Sequence, residues 1–147
     1  RIFLRSSILG ESDPSLYVTN WDGGNEFYVR DDDGSFTDLA DTYGLRDAGD
    51  TTNVSSASLH DDLDPVIFLG RSNQPDLFYI HGYDSNGDLE FYEDVGEGLG
   101  LDDDGVNMGA AWFDYDDDED SDLLTVMYDG TVKLYQNQTR EVELCED

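Results

Sequence analysis

The chain repeats itself at an interval of 56 residues, and that period limits the folds open to it. Phe36-Thr37-Asp38-Leu39 returns as Tyr92-Glu93-Asp94-Val95, and Gly44-Leu45 returns as Gly100-Leu101, each 56 positions on. The stretch Glu26-Phe27-Tyr28-Val29 reappears as Leu77-Phe78-Tyr79-Ile80 and again as Lys133-Leu134-Tyr135-Gln136, with tyrosines 51 and then 56 residues apart. A fixed period of this kind marks repeat architectures, in which each unit buries its apolar face only by stacking on its neighbour.

Each unit reads as short strands separated by turns. In the first, Leu16 to Thr19 is an apolar strand, Trp21-Asp22-Gly23-Gly24-Asn25 a turn, and Glu26 to Arg30 the returning strand. Asp31-Asp32-Asp33-Gly34 follows as a hairpin turn, where Asp-Gly predicts the positive φ values of type I′, and Phe36 to Ala40 predicts another strand. Four short antiparallel strands per unit, with no helical periodicity, predict an all-β chain of propeller blades. The units span approximately 1–45, 46–101 and 102–147. That is about 2.6 blades, whereas propellers close with roughly 4–8. The expectation is therefore an incomplete propeller or part of a larger one, with further blades from the same longer chain or from other copies. The chain also opens at Arg1 rather than Met, which implies processing or excision from something longer.

Between the apolar runs of the last unit lies Asp114-Tyr115-Asp116-Asp117-Asp118-Glu119-Asp120-Ser121-Asp122. Carboxylates occupy every second position, and alternate residues of a tight loop can turn inward together. Asp114, Asp116, Asp118, Asp120 and Asp122 would repel one another unless a hard cation sat among them. Calcium takes 6–8 oxygen ligands from a flexible loop, whereas magnesium demands a stricter octahedron. A calcium loop between two strands is thus expected, with a solvated acidic loop as the alternative. An EF-hand is excluded, since it needs Gly at its sixth position and Glu at its twelfth. Counting from Asp114, those positions hold Glu119 and Thr125. The middle unit has only Leu59-His60-Asp61-Asp62-Leu63-Asp64-Pro65 at the corresponding place, and is expected to have lost the metal.

Composition narrows the partners. Net charge is −29, from 36 acidic and seven basic residues, so the phosphate backbone of nucleic acid would be repelled. An anionic membrane surface is disfavoured for the same reason, and no apolar run approaches the ~18 residues of a membrane span. An aromatic content of 12% argues against disorder. Such acidity fits a halophilic protein or an extracellular one saturated with calcium.

These residues resemble the FG-GAP and VCBS repeats of integrin-α-like β-propellers, in the group of the cartilage acidic protein and UnbV-type proteins. Leu16-Tyr17-Val18-Thr19-Asn20, Asp33-Gly34-Ser35-Phe36-Thr37-Asp38-Leu39 and Tyr43-Gly44-Leu45 are similar to that family's frame, as is Ala110-Ala111-Trp112-Phe113-Asp114-Tyr115-Asp116. The resemblance covers Leu16 to Asn137 and is weak between Asp47 and Gln74. It implies calcium held by the carboxylates of Asp114, Asp116, Asp118 and Asp122 and by the carbonyl of Asp120. The departure is Glu119, where the family has Gly at a positive-φ position. It further implies a non-enzymatic, extracellular or cell-surface role in adhesion, with a protein or glycan ligand. A lectin on the same repeats is the alternative, and a propeller lyase or hydrolase a more remote one.

Other features are weaker. Asp84, Asn86 and Asp88 alternate oxygen ligands, but Asn86-Gly87 is equally a hairpin turn. Asp31, Asp33 and Asp38 carry a similar, lesser claim. His60 and His81 are the only histidines and make no zinc pattern with the single Cys145. No nucleophile elbow, phosphate loop or dinucleotide fingerprint occurs, so no catalytic residue is assigned. Trp112 is expected in the core. Trp21 is expected to pack, with sugar stacking as its alternative. Asn53-Val54-Ser55 and Asn137-Gln138-Thr139 match the glycosylation triplet.

Overall fold

The computed structural model describes residues 2–6, 15–59, 65–86 and 89–138, with backbone alone for the first stretch and for Leu89. Among these residues the chain forms eleven strands in three antiparallel sheets, each a meander in chain order. The first sheet holds β1 (Ile2–Ser6), β2 (Ser15–Thr19), β3 (Glu26–Arg30) and β4 (Phe36–Asp38). The second holds β5 (Thr51–Ala57), β6 (Val66–Arg71), β7 (Leu77–Tyr83) and β8 (Leu89–Asp94). The third holds β9 (Asn107–Phe113), β10 (Asp122–Met127) and β11 (Val132–Tyr135). β5 packs against both β1 and β9, so the leading strands of successive sheets are neighbours.

Two cores separate the sheets, and the second sheet serves both. Side chains alternate along a strand, so Ile67 and Leu69 of β6 join Tyr17, Phe27, Leu45 and Tyr92 in one cluster. Val66 and Phe68 join Phe78, Leu101 and Leu123 in the other. A strand buried on both faces reads as an unbroken apolar run, as Val66-Ile67-Phe68-Leu69 does.

The repeat extends to individual hydrogen bonds. The Asp38 carboxylate accepts the N–H groups of Phe27 and Ala40, at 3.0 and 3.1 Å. Fifty-six residues on, Asp94 accepts those of Phe78 and Gly96, at 2.9 and 3.0 Å. Leu45 donates to the Ala40 carbonyl and Leu101 to that of Gly96, beside Gly44 and Gly100 at φ 70 and 71°. Between sheets, Asn25 donates to Thr51 at 3.1 Å, and in the next junction Asn107 donates to the buried carboxylate of Asp76. Asp76 thus carries a charge where its counterpart Asn25 carries none.

Three local expectations need correction. The Asp31–Gly34 turn is not type I′, because only Gly34 has positive φ, at 85°. The Gly34 N–H donates to the Asp31 carbonyl, and Asp33 accepts the Ser35 N–H, which holds a wider loop with one left-handed residue. β4 ends at Asp38 rather than Ala40, since the Asp38 side chain captures the Ala40 N–H and turns the chain. A one-turn helix, α1 (Gly96–Leu99), follows β8, closed by the left-handed Gly100.

Loss of water pushes the Asp76 carboxyl up to about 6, against the pull of the Arg71 and Asn107 donors. A proton held more tightly folded than unfolded gives stability that is full below the unfolded pKa and lost as pH rises through the folded one. Wild type should therefore be most stable relative to Asp76→Asn below pH 3.8 and lose ground through about pH 6. The expected swing is about 3 kcal/mol, read from urea melts of both proteins across that range. A pH-independent difference would show that Asp76 does not titrate on folding.

Candidate metal centre

The acidic loop joins β9 to β10, whose last and first residues, Phe113 and Asp122, pair across the ladder. Asp122 is buried and anchors it: one carboxylate oxygen accepts the Tyr115 N–H at 2.7 Å, the other the Asn137 N–H at 2.7 Å. Asp114 accepts the N–H groups of Asp118 and Glu119, at 3.2 and 3.1 Å, so the chain winds round its side chain. That path needs left-handed residues at Asp117 and Glu119, with φ 61 and 68°. Neither is glycine, and each such position costs roughly 1–2 kcal/mol.

Carboxylate oxygens of Asp114, Asp116 and Asp122 lie within 4.8 Å of one another. Asp118 and Asp120 fall outside this trio but remain close. The Asp120 N–H donates to Asp118 at 3.3 Å. The Gln136 amide donates to Asp116. Partial loss of water, and then Asp118, push the Asp116 carboxyl up. Asp120 is only 5% exposed, and its carboxyl is pushed up to about 6 by burial first and by Asp118 and the rest of the cluster next.

One Asp120 oxygen is buried with no hydrogen-bond partner. An orphaned buried carboxylate oxygen costs at least 1–3 kcal/mol, and a cation would remove that cost. The described salt bridges engage Asp38, Asp41, Asp47 and Asp103, on other parts of the fold. The donor set here is oxygen throughout, which suits calcium, magnesium or manganese rather than zinc. The residues present therefore fit a hard divalent ion.

The other sequence candidates fare differently. Asn86 donates its N–H and its amide to the two oxygens of Asp84, at 2.7 and 3.0 Å, which builds a local turn. Asp88 lies outside the described residues, as do His60, the Asp61–Asp64 segment and Cys145. Ser35 and Thr37 hydroxyls bind Asp31 and Asp33 within their own loop. Burial works to raise the Asp38 carboxyl, but Arg46 with the Ala40 and Phe27 N–H groups outweighs it and holds it low. Trp112 packs in the second core and donates to Ser55 at 3.1 Å. Trp21, expected to pack, is 55% exposed. Its turn bonds through Asn20 and Asn25, which leaves the ring outside. His81 packs against Tyr83 and Tyr92. Asn53 is a strand residue whose amide donates to Asn107, not a free acceptor in a loop. Thr139 of the other triplet lies outside the described residues.

Sequence reading missed the partners that reach this loop from afar. Gln136 and Asn137 follow β11, and the Leu59 carbonyl after β5 accepts from Ser121 and Asn137. No sequence signal marks them, because they meet the loop only through the fold. Asp117 was more legible, since Asp tolerates the left-handed region better than most residues.

No protein-family model matches the chain, and no curated protein matches it significantly.

Calcium should raise the melting temperature over that in excess chelator, by about 2.7 kcal/mol at a hundredfold excess over Kd. Asp116→Asn should abolish this response while leaving the chelated protein's melt nearly unchanged, because Asp116 is exposed. Superimposable wild-type melts with calcium and with chelator would exclude the site.

Proposed function

We propose that this chain is a calcium-binding β-propeller module of the FG-GAP or VCBS kind, with an extracellular role in binding or adhesion. The observation that carries the reading is the convergence of Asp114, Asp116 and Asp122 beside the orphaned Asp120 oxygen. Calcium is favoured over magnesium because the loop offers many oxygens on a flexible, irregular path rather than a rigid octahedron. Three meanders in chain order, with their leading strands adjacent, support the blade reading. In it the calcium loop closes the hairpin between the first two strands of a blade.

Adhesion is inferred from family likeness, since propellers host many functions. The exposed Trp21 favours the lectin as a second reading: a ring beside Gly23 and Gly24 can stack on a sugar. The module would act in company with further blades from its own longer chain or from other copies.

Two surfaces test this reading: a glycan array and a coating of extracellular-matrix proteins, each with calcium and with chelator. Calcium-dependent retention on the matrix coating that is indifferent to Trp21→Ala supports adhesion. Calcium-dependent retention on glycans that Trp21→Ala abolishes supports the lectin. Retention on neither surface, or retention unaffected by chelator, overturns both. In the same calcium-saturated buffer, a charge of −29 predicts that stability rises from low to molar salt, as screening weakens self-repulsion. A flat or falling salt dependence would remove the halophilic reading.

A further inference from the structure

The two junctions between sheets are framed alike and filled differently. At the first, Asn25 donates its N–H to the Asp47 carbonyl at 2.8 Å, and Ser72 donates to Asp50 at 2.9 Å. At the second, Asp76 donates to Asp103 at 2.8 Å, and Tyr128 donates to Val106 at 2.8 Å. Inside the first frame lies the guanidinium of Arg71, which donates to an Asp47 oxygen at 3.0 Å and to the Pro75 carbonyl. A Cβ on Gly49 would meet the side chains of Gln74 and Arg71, the latter at 2.9 Å, so the space is full. Fifty-six residues on, Asp103 and Gly105 are kept, but Met127 stands for Arg71 and Gly130 for Gln74. There a Cβ on Gly105 would meet only the Met127 methyl, at 2.7 Å. A cavity of about 310 Å³ is left, walled by Asp103, Asp104, Met127, Tyr128, Asp129 and Thr131.

Charge has changed along with volume. Lys133, in the place of Leu77, pairs with Asp103, and Tyr135 donates to the other Asp103 oxygen at 2.7 Å, so that carboxylate is met. Asp104 and Asp129 stand where the first junction has Ala48 and Asn73. Both line the cavity, both are exposed, and neither is in a salt bridge among the described residues. The hydrogen bonds, ion pairs and ring contacts of the lining residues all run to described residues.

We propose that this pocket binds a guanidinium group from outside the fold, at the place that Arg71 fills in the first junction. Asp104 and Asp129 meet its charge. Its planar fork takes a carboxylate and a second oxygen together, as Arg71 takes Asp47 and Pro75. Tyr128 adds an aromatic ring to the wall, on which a guanidinium stacks better than an ammonium. The pocket is not built for a metal ion, since among the described residues only Asp114, Asp116 and Asp122 bring three ligand atoms within 4.8 Å of one another. The guanidinium belongs either to a small molecule or to an arginine of a polypeptide. The assignment goes beyond the adhesion reading and holds whether or not the acidic loop takes calcium.

The test uses the whole chain with methyl-labelled methionine, which gives two NMR signals: Met127 in the pocket and the exposed Met108 as control. The probes are agmatine and Nα-acetylarginine amide, with Nα-acetylcitrulline amide as the uncharged isostere and Nα-acetyllysine amide as the ammonium. The expected result is a saturable shift of the Met127 signal alone, half-complete below about 10 mM probe. The citrulline probe should bind at least about tenfold more weakly than its arginine counterpart, and the lysine probe at least about threefold. Tighter binding of agmatine supports the small-molecule source, and tighter binding of the arginine amide the polypeptide. Asp104→Asn should weaken binding about threefold to fivefold, and its side chain is exposed, so the variant keeps its fold. Met127→Arg, read from the probe's own saturation-transfer signal, should abolish binding by restoring the filling of the first junction. No saturable Met127 shift by about 10 mM would overturn the proposal. Equal binding of the citrulline or lysine probe would also overturn it, as would a nuclear Overhauser contact between Met127 and one of the chain's own arginines without probe.

Discussion

Everything in this fold leans on a sheet that is apolar on both faces. The run Val66-Ile67-Phe68-Leu69 sends alternate side chains into two separate cores, so neither neighbouring sheet has a core without the second one. Stability of this kind is a sum of unit and interface terms rather than the property of one closed core. Burying a Leu, Ile or Phe contributes roughly 1.5–3 kcal/mol, and the middle sheet supplies such residues to both interfaces. A polar substitution at Phe68 would therefore open the second junction while leaving the first packed, and the acidic loop on β9 and β10 would lose its support.

The acidic residues of this chain do two kinds of work, and the distinction lies in their donors. Asp38 and Asp94 each accept two backbone N–H groups at corresponding places, and Asp38 adds the Arg46 guanidinium at 2.7 Å. Such carboxylates are structural, since their charge is met where it stands. In the loop from Asp114 to Asp122 the donors are too few. Asp114 and Asp122 are met by backbone N–H groups, Asp116 by an uncharged amide, and one oxygen of Asp120 by nothing. Like charges brought together in that way raise one another's affinity for protons, and a divalent cation reverses the effect.

Much of this was legible in the sequence, and the rest failed for physical reasons. Period and strand type could be read because equivalent residues face successive cores: Phe27 and Phe78, both on third strands of their sheets, lie in the first and the second core. The five alternating carboxylates could be read because a loop of short side chains reveals its own spacing. Three of them form the tight trio, while Asp118 takes the Asp120 N–H and Asp120 is buried beside them. The Asp31–Gly34 turn was misread because Asp-Gly satisfies two turn geometries, and the neighbouring Ser35, not the dipeptide, selects between them. Trp21 was misread because burial of a tryptophan depends on what the opposite element offers, which no local pattern encodes.

The repeat also explains why its units diverge where they do. Gly44 and Gly100 keep the left-handed turn that both segments need, so the backbone is conserved between units even where the packing above it is not. Asn25 and Asp76 keep the hairpin-closing acceptor, which takes the N–H of Asn20 at 2.9 Å and of Arg71 at 2.7 Å. The replacement of amide by carboxylate is tolerated at the second junction because Asn107 donates to it from the neighbouring sheet, where Thr51 accepts in the first. Change in one unit is thus matched by change in the next, across the interface rather than within the sheet. An interface matched in this way specifies the order in which units stack, since an Asn25-type hairpin set against Asn107, or Asp76 against Thr51, would change which group donates and which accepts.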